Sequence, residues 1–78
     1  MDDKPKVAVN WDYVPSDAIS YLIEQYIHHK RNRAILKAHF IDGDSYETIA
    51  EAVGCSVRTV GYVVESGAAH IAQFITVS

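Results

Sequence analysis

The sequence predicts a small all-α domain of four helices that contains a helix-turn-helix. Three observations predict it. Apolar residues recur at helical spacing over residues 19–27 and again over 60–75. The breakers Asp42-Gly43-Asp44 and Gly54 punctuate shorter periodic segments between those two stretches. Of the 78 residues, 49% are hydrophobic and 22% charged, a composition that folds, in a chain with room for one small domain and a thin core.

Residues 1–15 (MDDKPKVAVNWDYVP) hold both prolines and alternate only briefly, at Val7, Val9 and Trp11. They read as an N-terminal arm, with Trp11 and Tyr13 able to pack back on a domain spanning 16–78. After Pro15, Ser16 or Asp17 can cap a first helix whose face is Ile19, Leu22, Ile23, Tyr26 and Ile27. A second helix is expected over about 32–41, with Leu36 and Phe40 one turn apart, stopping at the Asp42-Gly43-Asp44 breaker. The third starts at the cap Ser45 and buries Tyr46, Ile49, Ala50 and Val53. Gly54 ends it, because glycine adopts a left-handed backbone without a Cβ clash. Ser56 can cap the fourth, where Val60, Val63, Val64, Gly67, Ile71, Phe74 and Ile75 form one stripe. The β-branched run VRTVGYVV, with Gly61 inside it, makes a strand the competing reading, but a strand leaves that stripe unexplained.

Composition narrows the function. The longest apolar runs are a few residues, far short of the ~18 or more a membrane span needs, and no signal-peptide pattern opens the chain, so a soluble cytoplasmic protein is expected. One cysteine, Cys55, cannot form an internal disulfide, and no His or Asp stands at motif spacing to make it a nucleophile; it reads as a small packing residue. The adjacent His28 and His29 diverge around a helix, and His39 and His70 lack a Cys partner at ligand spacing, so no metal is expected. Without a glycine-rich phosphate cradle no nucleotide cofactor is expected, and no catalytic residue stands out. The net charge of -3 counts against avid nonspecific nucleic-acid binding. Its distribution is uneven: residues 28–37 hold Lys30, Arg31, Arg33 and Lys37 without an acid, whereas from Asp42 onward Arg58 is the sole base.

Two helices joined by a short glycine turn cross steeply only where small side chains meet. Ala50, Gly54, Ser56, Val60 and Val63 supply that pattern, placing a helix-turn-helix at roughly 45–66. The stretch AILKAHFIDGDSYETIAEAVGCSVRTV, residues 34–60, resembles the C-terminal promoter-reading domain, region 4, of bacterial sigma factors and their short phage-borne relatives. The likeness covers roughly residues 31–75 and leaves no room for the other sigma-factor regions, so it implies a stand-alone domain.

The resemblance implies that the last helix enters the major groove of double-stranded DNA with its first turns toward base edges. Carried over by position, Val57, Arg58, Gly61, Tyr62 and Glu65 face the groove, and Ser56 and Thr59 lie near phosphates. Arg58 is the residue able to make the bidentate contact to guanine. Gly61 and Glu65 stand where family members often carry Arg or Lys, and Glu65 has the wrong sign for phosphate. Arg31, Arg33 and Lys37 are candidates for the DNA backbone, as are the amides opening the third helix. The expected function is a bacterial or phage transcription regulator that occupies a site without chemistry on it. The alternative is an adaptor of the same fold that binds RNA polymerase, a sigma factor or its own copy through Tyr62, Val64 and the last helix. The apolar end AAHIAQFITV packs on the first helix or forms a homodimer seam through the C-terminal helix, which would double a weak half-site contact.

Overall fold

The chain folds as four α-helices, and the computed structural model describes residues 10–75. Val7 and Val9 of the arm, and Val77 at the apolar end, lie outside the described residues. Asn10 opens a 3-10 turn, Trp11–Tyr13, by accepting the Asp12 N–H on its side-chain oxygen at 3.1 Å. The turn carries Trp11 onto Phe40, ring centres 4.6 Å apart, while Tyr13 points to solvent. Trp11 therefore packs back on the domain and Tyr13 does not.

Helix α1 spans Ser16–Tyr26. Its cap is Pro15, one residue before the expected Ser16 or Asp17, and no side chain caps it. The proline ring sets φ at -61°, and its carbonyl accepts the N–H groups of Ala18 and Ile19. Ile19 and Ile23 are buried, Leu22 and Ile27 pack beside them, and Tyr26 stacks on Phe74 at 3.8 Å.

Helix α2, Lys30–Lys37, starts two residues earlier than the periodicity indicates, because His29 Nδ1 accepts the Arg31 N–H at 3.2 Å. It runs on into one π-helical turn, Ala38–Asp42, which Gly43 closes at φ 74°. Helix α3, Tyr46–Val53, opens on Ser45, whose hydroxyl oxygen accepts the Thr48 N–H at 3.2 Å. It ends at Gly54, φ 75°, with the N–H groups of Gly54 and Cys55 both reaching the Ala50 carbonyl.

Helix α4, Val57–Ala72, opens on Ser56 by the same device, accepting the Thr59 N–H at 3.1 Å. Local propensity loses here to burial: Val60, Val63, Val64, Gly67 and Ile71 are all buried on one face, which a strand could not achieve. With Ile19, Ile23, Ile35, Leu36, Ile49 and Ala50 from the other helices they form one core. Gly67 lets α2 approach, since a Cβ there would stand 2.6 Å from a methyl of Leu36. No β-strand occurs among the described residues.

Candidate nucleic-acid interface

The helix-turn-helix is built from α3, the turn Gly54-Cys55-Ser56 and α4. Ala50 and Val60 are buried where the two helices cross, so neither holds the backbones apart. Because Val60, Val63, Val64, Gly67 and Ile71 turn inward, the opposite face of α4 carries Arg58, Tyr62, Glu65 and Ala69, all exposed. Tyr62 is 72% exposed and Val57, at the start of the helix, 42%. Among the described residues Arg58 has neither an ion-pair nor a hydrogen-bond partner on its side chain.

Gly61, expected to face the groove, lies instead on the flank toward α3: a Cβ there would meet the Tyr46 ring at 3.6 Å. It is the seat of an aromatic ring, and sequence spacing could not show this because Tyr46 arrives from another helix. Thr59 is half-buried, and its hydroxyl oxygen accepts from Ser56 at 3.0 Å, so these two side chains are first of all the cap of α4.

The basic helix α2 differs from the expectation. Arg33 donates from Nε to the Ile27 carbonyl at 2.7 Å and from a terminal nitrogen to the His28 carbonyl at 3.3 Å, and it lies 3.5 Å from Glu24. Lys37 donates to the other oxygen of Glu24. Both cations thus point toward α1 and the loop after it and are engaged there, rather than standing as a free basic face. The hydrogen bond from Lys37, together with its charge and that of Arg33, holds the Glu24 carboxyl below the usual range, against a smaller opposing effect of desolvation. Arg31 stays exposed and shares its guanidinium with the Asn32 side chain at 3.2 Å. Asn32 in turn lines a groove with Ser66 and His70, in the second half of α4, on the order of 12 Å along the helix from Arg58.

Acids dominate the rest of the unit's surface. Glu47 and Glu51 of α3 and Glu65 of α4 are exposed, with Arg58 as the single base between residues 45 and 66. Glu47 stands in the first turn of α3, where it opposes a phosphate on the amides there. Val64 is 5% exposed and belongs to the core, so it cannot be part of a docking surface. At the apolar end Ile71 is fully buried, while Phe74 stacks on Tyr26 and keeps an exposed edge. Among the described residues no three His, Cys, Asp or Glu side chains converge on a point where a metal could sit, and no helix is long and apolar enough to cross a membrane.

The spacing of basic residues missed the brace on Glu24, which depends on a contact between residues thirteen apart in the chain. It also missed His39, whose Nδ1 is buried without a hydrogen-bond partner next to Phe40 and Tyr46. No protein-family model matches the chain, and no curated protein or solved structure is significantly similar to it.

Proposed function

We propose that this domain is a DNA-binding transcription regulator of bacterial or phage type, which occupies the major groove with the first turns of α4. The observation that carries the reading is the projection of Arg58 and Tyr62 from a glycine corner, on the face of α4 opposite the core, with Val57 exposed at the first turn of the helix. The likeness of residues 34–60 to sigma-factor region 4 supports it. Arg58 reads guanine by its paired N–H groups, and Tyr62 packs its ring on the groove wall. Because Arg33 and Lys37 are held by Glu24, few phosphate contacts remain, and binding is weak and only mildly salt-dependent.

Fluorescence anisotropy of labelled duplexes at two salt concentrations tests the proposal. Affinity should fall with salt along a log-log slope of about -0.9 per phosphate contact, with no more than a few contacts in total. Arg58→Ala should cost ~1–3 kcal/mol at a single base position of a selected site. A site preference unchanged by that substitution removes Arg58 from base reading.

The second reading, an adaptor that docks on RNA polymerase or a sigma factor, draws on the acid excess of Glu47, Glu51 and Glu65 around the single Arg58. Absence of duplex binding even in low salt decides for it and against DNA.

A further inference from the structure

The outward face of α4 carries a charge pattern that gives the expected contact with a second copy through Tyr62 a definite geometry. Arg58 and Glu65 are two helical turns apart on that face, about 10 Å, too far to pair within one helix, and neither has an ion-pair partner among the described residues. The midpoint between them falls between Gly61 and Tyr62. An antiparallel copy of α4 with its two-fold axis at that midpoint brings each Arg58 level with the Glu65 of the other copy. The same axis sets the two Tyr62 rings against each other within about 2 Å of level.

We infer that α4 pairs antiparallel with the α4 of a second copy through Arg58, Tyr62 and Glu65, and that this pairing covers the residues proposed to read DNA. The complementarity is isologous: one face supplies both the cation and the anion, and a two-fold operation satisfies both pairs at once. Tyr62, 72% exposed in the single chain, becomes the centre of the contact, and the two charge pairs flank it. A single helix face covers less than the ~800 Å² per partner of a stable interface, so association is weak, with a dissociation constant on the order of 10⁻⁴ M. A pairing of that strength is displaced by a duplex and acts where local concentration is high.

Sedimentation equilibrium of the full chain, without DNA, tests the pairing with charge-reversed variants. Arg58 and Glu65 are exposed, so Arg58→Glu and Glu65→Arg leave the core intact, which far-UV circular dichroism verifies. Wild type should show dimer below about 1 mM, and each single reversal should weaken association roughly tenfold or more by opposing like charges. An equimolar mixture of the two variants should associate at least as well as wild type. In the mixed dimer the face of Arg58→Glu, which carries only carboxylates, meets the face of Glu65→Arg, which carries only guanidinium groups, so both ends pair opposite charges. The inference is overturned if wild type stays monomeric to about 1 mM, if either reversal self-associates as wild type does, or if the mixture is no better than its components. None of these readouts involves a duplex, so a failure of base reading and a failure of pairing are seen separately.

Discussion

Replacing Gly61 and Gly67 by alanine, one at a time, should move stability in opposite directions, although both lie inside the same helix. The intrinsic gain is shared: alanine is favoured over glycine in a helix interior by ~0.8–1.0 kcal/mol. At Gly61 the added methyl stands 3.6 and 3.9 Å from carbons of the Tyr46 ring, ordinary contact, so Gly61→Ala should stabilise by up to ~1 kcal/mol. At Gly67 the methyl would stand 2.6 and 2.8 Å from the two Leu36 methyls and 3.2 Å from its Cγ. Leu36 is fully buried, so it can move only by disturbing its neighbours, and overpacking of this kind costs ~1–3 kcal/mol. Offsetting the intrinsic gain leaves Gly67→Ala net destabilised by ~0–2 kcal/mol, a gap between the two variants of ~1–3 kcal/mol. Urea unfolding followed by circular dichroism measures the gap, and thermal midpoints should differ by about 4–8 °C per kcal/mol. Leu36→Ala should cost less in the Gly67→Ala background than in wild type, because the added methyl refills part of the space. If Gly67→Ala stabilises as much as Gly61→Ala, the close approach of α2 and α4 is not what holds glycine at that position.

Three other predictions concern the ends of helices and the brace between α1 and α2. Ser56→Ala removes the side-chain acceptor of the Thr59 N–H and should cost ~0.5–2 kcal/mol in the same urea assay. Gly54→Ala adds a methyl that meets nothing within 4 Å, so any loss, expected at ~1–2 kcal/mol, comes from the left-handed backbone alone. The Glu24 carboxyl is held below its ordinary value in the folded chain, so its contribution to stability is present above the unfolded value and disappears as pH falls through the folded one. Stability measured between neutral and acid pH should therefore decline less steeply in Glu24→Gln than in wild type, and parallel curves for the two proteins would refute the brace.

Local rules made much of the fold legible. The stripe on α4 and the caps at Ser45 and Ser56 are fixed by residues within a turn or two of one another, and so is the left-handed glycine at Gly54. The periodicity of a single segment contains such features. Groups that meet only after folding are a different matter. Arg33 and Lys37 look like a free basic face in the sequence, because Glu24, which holds them, comes from the preceding helix. Gly61 looks like a groove position on α4 until the Tyr46 ring from α3 is seen against it. The cap of α1 lies one residue ahead of the polar side chains that mark it in the sequence, because the proline carbonyl can receive the first helical N–H groups without a side chain. Of the expected interface, Arg58 and Tyr62 are exposed where the periodicity of α4 puts them, because the stripe that faces the core also determines what faces away, whereas Val57 is in register with that stripe and is exposed because it opens the helix.

The notch at Gly67 has a mechanical consequence. With the Leu36 side chain lodged where a methyl would otherwise be, α2 and α4 cannot slide along each other unless that side chain first lifts out. The second helix of the corner, α4, is therefore locked to α2 against movement along its length. A partner that meets α4 meets a helix already held in place against α2, so that packing need not be ordered at the moment of contact.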